Sequence, residues 1–378
     1  VHDVRKTTRN PEIDGLRAVC VLIVVMAHLI DSGHVMLPFG LNPSVSFQGH
    51  LAVEFFLVLS GFLITSLHLK EHLAKGRINL LGYYIRRFFR IIPAYWTYLA
   101  TVTLLAATGF ITLTPQAFTR AVFFITDINF LPEKEAWFVG HSWTLSVQEQ
   151  YYTALPFFLW VVLKGKRRAM LIMLGVLYLF TTYIEKANTL HPPVPLAFLG
   201  HFKFIIAGVV LALVWHRTAF LFERVSVTVP LLLVTLLATR DFYTDPSHAF
   251  LAKLVTPTEA IAEAYILGWI ILNPAWCGFL HWRVTQALGR CSYSIFLWQE
   301  FFTGRVDFYH RIDFSALPWS LAGLAICVAL SYYLIEVPTM RLGARLSKRI
   351  AVSRDLLAAP APTPTSGPEK ELAPLETN

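Results

Sequence analysis

Apolar runs of about twenty residues, separated by short polar or basic connectors, recur along almost the whole chain. Each is long enough to cross a bilayer as an α-helix rising about 1.5 Å per residue. The pattern predicts about ten transmembrane helices, over residues 16–32, 50–69, 91–112, 143–163, 169–185, 196–215, 225–240, 259–277, 288–304 and 317–337. The connector from Lys70 to Arg90 has room for a short amphipathic helix on the inner surface. From about Leu356 the chain is rich in Pro, Ala, Thr and Glu and cannot bury a core. The expected organisation is a membrane domain over 1–350 and a disordered cytoplasmic tail over 351–378. No inverted repeat of the kind common in secondary transporters is evident.

Composition supports the same class. The 378 residues are 55% hydrophobic and only 15% charged, against about 25% charged in a soluble domain. The fold class is therefore an all-α polytopic membrane helix bundle. A net charge of +8 would suit nucleic acid, but no basic patch lies on a soluble, aromatic-bearing domain, so nucleic acid is excluded as a partner. The excess reads as topology. Basic residues gather in alternate connectors, such as Arg86–Arg90, Lys164–Arg168 and Arg341–Arg349. Acidic residues such as Glu133, Glu135, Asp307 and Asp313 mark the other side. That alternation predicts an even number of spans with both termini cytoplasmic. Cys20, Cys277, Cys291 and Cys327 lack metal-ligand spacing, and no metal site is expected. The first run holds Arg17 and His28 without a small-residue cleavage site after it, so it is expected to be a retained span.

Charged and polar residues inside such runs are energetically unfavourable, which makes them candidates for function. Arg17 and His28 lie eleven residues apart in the first run. Eleven helical steps make about three turns, so both side chains share one face, about 16 Å apart along the axis. Asp14 can pair with Arg17 at i, i+3, and Asp31, one turn beyond His28, can orient its imidazole. A neutral imidazole in a low-dielectric site suits a general base for a hydroxyl; a packed, hydrogen-bonded histidine is the simpler alternative. Arg86, Arg87 and Arg90 are either topological charge or an inner-face anion site for a phosphate-bearing donor. Ser146 and Glu149 sit in the polar stretch 142–152 at the outer start of the fourth run, which indicates a water-filled cavity or an interhelical hydrogen-bond network. Glu54 is a second carboxylate near the outer end of its helix, and Ser60-Gly61 after it favours close helix packing. Glu336 reads as an ion pair with Arg341, and Trp298-Gln299 add a polar point inside the ninth run. No phosphate-binding loop, serine-hydrolase elbow or zinc-protease motif occurs.

Several of these stretches together resemble the acyltransferase-3 family of integral membrane O-acyltransferases. Pro11-Glu12-Ile13-Asp14-Gly15-Leu16-Arg17 followed by His28 is similar to the family's Arg-x10-His signature. Val53 to Ile64 resembles its second-helix motif, with Glu54 where Asp is usual. Arg86-Arg87, Arg90 and Pro93 match its Arg-Arg-x-x-Arg-x-x-Pro segment, and Trp143 to Tyr152 resembles a further motif. Leu288 to Trp298 and Ile335 to Pro338 resemble the two C-terminal helices. The likeness covers roughly residues 10–345.

The resemblance implies transfer of an acyl group, usually acetyl from acetyl-CoA, to a hydroxyl, often of a cell-surface glycan, by a multi-pass protein of the bacterial cytoplasmic membrane. It implies His28 as catalytic histidine, Arg17 as essential arginine, and Arg86, Arg87 and Arg90 at the CoA phosphates. Glu149 and Tyr152 would line the site, with Asp14, Glu54, Ser146 and Trp298 as further substrate contacts. Acyl-CoA is expected as a co-substrate, with no tightly bound cofactor. Gln148 stands in place of the first of the usual paired glutamates, and Gln299 in place of a histidine often seen there. No SGNH hydrolase domain follows the last run, so a standalone module handing the acyl group directly to its acceptor is expected. The alternatives are a small lipophilic acceptor such as a macrolide, or a proton-coupled secondary transporter using His28, Glu54 and Glu149.

Overall fold

The computed structural model describes residues 10–36, 45–128, 131–163, 167–190, 197–223, 225–239 and 255–358. The described residues are helical nearly throughout; an isolated bridge joins Ile111 and Tyr309. Three long helices come first: α1 (Pro11–Asp31), α2 (Val45–Lys75) and α3 (Leu80–Ala107). Two eight-residue helices, α4 (Pro115–Val122) and α5 (Glu133–Gly140), precede α6 (Trp143–Leu163) and α7 (Arg167–Leu190). A 3-10 turn leads into α8 (Phe202–Thr218), followed by α9 (Phe220–Glu223), α10 (Thr228–Ala238) and α11 (Glu259–Leu272). The chain closes with α12 (Arg283–Arg290), α13 (Ser292–Thr303), α14 (Trp319–Leu330), a π-helical turn (Ser331–Glu336) and α15 (Val337–Ala358).

Among the described residues, six helical stretches are long and apolar enough to cross a membrane, or seven if the bent pair at α11 is one span. Several predicted runs take a different form. The run 288–304 divides into α12 and α13, and the twelve residues of α13 reach only about 18 Å. The run 259–277 bends by 86° between α11 and the 3-10 helix Pro274–His281. The separate surface helix expected between Lys70 and Arg90 is absent. Instead α2 continues to Lys75, Gly76 closes it at a φ of +65°, and Asn79 Oδ1 starts α3 by accepting from the Gly82 N–H at 2.9 Å. At the C-terminus α15 runs to Ala358, past residue 350; residues 359–378 lie outside the described residues.

Apolar side chains face outward on the periphery. Ile172, Val176 and Leu179 on α7, Leu231 and Leu232 on α10, and Leu321 and Ile326 on α14 are all exposed. Such faces match hydrocarbon rather than water, and the chain is a multi-pass membrane protein.

Within this shell α1 is held at both ends. Near its start, Gln286 Nε2 donates to the Pro11 carbonyl at 2.6 Å, and Gly289 of α12 lies so close to the Asp14 carbonyl that a Cβ would overlap it. At its far end, Ser32 Oγ donates to the Thr303 carbonyl at 2.5 Å, and His34 Nε2 donates to the Gly304 carbonyl at 2.8 Å. These bonds set the register of α1 against α12 and α13. Gly61 of α2 lies against the Ile205 carbonyl of α8, as the small pair at Ser60-Gly61 predicts.

Candidate active site

The basic residues predicted on α1 and α3 converge. Arg17, Arg86, Arg87 and Arg90 line one cavity of about 770 Å³, together with Tyr152 of α6 and Lys70 and Lys75 of α2. Its size is in the range of small-molecule sites. Arg86 Nη1 donates to Ser347 Oγ of α15 at 2.5 Å. The Arg87 guanidinium lies 3.2 Å from the centre of the Tyr152 ring and pairs with Glu149 Oε1 at 3.1 Å. The Tyr152 carbonyl in turn accepts from Tyr84 Oη at 2.9 Å. Arg17 faces Arg90, Asp14, Glu336 and Tyr152.

Glu336 is delivered to this cluster by the π-helical turn, which rotates the helix between α14 and α15. Its carboxylate accepts from Ser294 Oγ and faces Arg90 and Arg17, rather than the neighbouring Arg341 expected from the sequence. Four guanidiniums with Lys70 and Lys75 thus outnumber the carboxylates of Glu71, Glu149, Glu336 and Asp14 around this cavity, an arrangement suited to an anion. Much of the remaining lining is apolar, with Val53, Phe56, Leu59, Leu63, Leu145 and Phe296 among others, interspersed with Ser60, Thr144, Gln148 and Ser292.

Glu149 lies with Arg87 at this basic cavity, not at the outer start of its span. Glu149 lies about two turns inside α6, as Arg87 does in α3 and Arg17 in α1.

His28 occupies a different level of the fold. Its ring packs 5.5 Å from Trp137 of α5, and Gln299 is within hydrogen-bonding reach. Of the charged groups facing it, Glu300 acts most strongly, followed by His141 and then Asp31. A second cavity, of about 120 Å³, lies here and is lined by Arg120, Thr126, Trp137, Gly140 and Glu300 among others. His141 Nδ1 lies 2.5 Å from Glu300 Oε2, and its backbone N–H donates to the same oxygen at 3.2 Å. The His141 ring packs edge-on against Phe296, which lines the basic cavity. The two cavities thus approach each other across the His141 layer.

The other predicted residues do not all gather at His28. Ser146 Oγ meets Thr126 Oγ1 at 2.8 Å and braces the small cavity's wall. Trp298 packs edge-on against Tyr98, with ring centres 5.3 Å apart. Glu54 belongs elsewhere, in a buried group around Lys203 of α8, which pairs with Glu185 at 2.5 Å and Glu259 at 3.1 Å. Sequence reasoning missed Lys203, Glu259, His141 and Glu300. Lys203 within a predicted span was a visible signal, since an intramembrane lysine needs partners. His141 directly precedes the polar stretch 142–152, and Glu300 follows Gln299.

Outside the membrane-spanning helices, burial pushes the Asp127 carboxyl up to about 6, opposed by the hydrogen bonds that Gln150 Nε2 donates to it.

The sequence pattern of the family described as an acyltransferase domain matches residues 10–336. The O-acetyltransferase OatA of Staphylococcus aureus (strain NCTC 8325) is 24% identical over 366 residues, covering 88% of this chain and 57% of OatA. A protein of S. aureus strain MSSA476, provisionally named an O-acetyltransferase, is 25% identical over 372 residues, covering 90% of this chain and 58% of its own length. The chain therefore spans little more than half the length of these relatives. No solved structure matches it. The transporter alternative gives way to an enzyme: the chain belongs to the acyltransferase-3 family of membrane O-acyltransferases.

Proposed function

We propose that the protein moves an acyl group, in the first place acetyl, from cytoplasmic acyl-CoA to a hydroxyl of an exported or cell-surface glycan, in a bacterial cytoplasmic membrane. One observation carries this reading: the cavity that holds four arginines is also lined by apolar residues, among them Phe296, which packs against His141, the partner of Glu300, and both act on His28. A nucleotide carrying phosphates fits the arginine end, and a thin, largely apolar pantetheine arm fits the rest. Ten spans with both termini cytoplasmic would put that end on the side where acyl-CoA is made.

In the proposed reaction the acceptor oxygen attacks the thioester carbon while His28 takes the hydroxyl proton. The carbon–sulfur bond breaks, and the CoA thiolate leaves and recovers a proton from the imidazolium. Arg17, Arg86, Arg87 and Arg90 hold the donor's phosphates. Tyr152 and Glu149 fix Arg87, and Asp14 faces Arg17. In direct transfer the acceptor would enter by the small cavity lined by Trp137, whose ring packs against His28.

The test uses the purified full chain in lipid nanodiscs with labelled acetyl-CoA. Wild-type protein is expected to release CoA in the presence of a glycan acceptor, and His28→Ala to release none while still folding. Full turnover by His28→Ala would sink the assignment of the base. Turnover on a macrolide but not on glycans would replace the acceptor.

A further inference from the structure

His141 and Glu300 are assigned no part in the reaction above, yet both are nearly fully buried. We infer that Glu300 and His141 are positioning residues for His28, the carboxylate bonded to His141 and its charge directed at His28. The inference rests on the reading of His28 as base.

The geometry is specific. Glu300 Oε2 receives two donors from the same residue, the ring Nδ1–H and the backbone N–H of His141. This places the proton of a neutral His141 on Nδ1 and leaves Nε2, which has no hydrogen-bond partner among the described residues, as an acceptor. Trp137 joins the same assembly. Its indole N–H donates to the Glu300 carbonyl at 2.9 Å, and its ring packs against His28. The ties at Ser32 and His34 lock the end of α1 that carries His28 to the end of α13 that carries Glu300. The His28 and Glu300 segments are therefore tied together by several hydrogen bonds between side chains and backbone.

What the carboxylate supplies is charge. When His28 takes the acceptor proton it becomes an imidazolium, and Glu300 is the group facing it most strongly. The positive charge lasts until the proton passes to the CoA thiolate, so the carboxylate stabilises the step without itself changing protonation. His141 keeps that carboxylate in place through two hydrogen bonds.

A structural brace and a charge partner respond differently to Glu300→Gln. The amide keeps an oxygen able to accept from His141, but it has no charge. If Glu300 only braces the fold, Glu300→Gln should turn over nearly as wild type. We expect instead a fall in kcat of roughly 10²-fold with KM for acetyl-CoA within about twofold of wild type. Glu300→Asp should recover at least about tenfold over Glu300→Gln, and His141→Gln should lower kcat in the same direction. Should Glu300→Gln fail to accumulate, Glu300→Asp and His141→Gln carry the same comparison of kcat with KM. Wild-type kcat in Glu300→Gln, or in both fallback variants, overturns the inference; so does a loss confined to KM. An inactive His28→Ala beside a fully active Glu300→Gln would overturn this role alone. An active His28→Ala would remove the base, and this role with it.

Discussion

The guanidinium carbon of Arg87 lies over the Tyr152 ring, 3.2 Å from its centre, while the group pairs with Glu149. A group held over a ring and paired with a carboxylate has one orientation left to offer a ligand. Lysine would keep the charge and lose both the stacking and the fork. Arg87→Lys is therefore expected to raise KM for acetyl-CoA by roughly tenfold, about 1.4 kcal/mol, with kcat little changed. Steady-state CoA release at varied donor concentration checks the split, and an unchanged KM would remove Arg87 from the donor site.

Lys203 holds two carboxylates from different helices, Glu185 of α7 and Glu259 of α11, deep in the bundle. Removing the lysine takes away the ammonium that bonds the buried Glu259 carboxylate. Lys203→Met is expected to destabilise the protein by about 3–5 kcal/mol. The paired change Lys203→Met with Glu259→Gln should recover part of that loss. Thermal melting in detergent reads both.

Asp127 lends the fold a pH dependence. Its carboxyl is pushed up to about 6 from 3.8, so the folded state binds the proton more tightly than the unfolded chain. Stability should then rise as pH falls through about 6 towards 4, by at most about 3 kcal/mol. Asp127→Asn cannot titrate and should flatten that part of the melting profile. An equal slope in the variant would assign the dependence to another group.

Gly289 meets the backbone of α1 where a side chain has no room. Gly289→Ala must push α12 from α1, at a cost of about 1–3 kcal/mol. Because α12 leads directly into α13, CoA release should fall along with the melting temperature.

Much of this organisation was legible from hydropathy. The predicted runs 16–32, 50–69, 169–185 and 196–215 each coincide with a long helix, since one apolar segment long enough to span needs no neighbour to be recognised. The helices α4 and α5 are too short to leave that signal, while α13 and the end of α12 gave one continuous apolar run that hid the break between them. The convergence of Arg17 with Arg86, Arg87 and Arg90 was legible as chemistry, because charge in an apolar setting stands out. Glu54 stood out for the same reason. A charge at depth announces a partner without saying which, and here the partner is the group around Lys203. The pairing of His141 with Glu300 joins residues 159 apart in sequence, with no local periodicity to betray it.

The bonds at Pro11, Ser32 and His34 make α1 a ruler fixed at both ends. The interval from Arg17 to His28 is then a property of eleven helical residues and not of any loop. A substrate that bridges them is measured against a rigid length. One residue inserted between them would advance His28 by about 1.5 Å and turn it through about 100°. The helix so lengthened would keep both functional groups and lose their alignment.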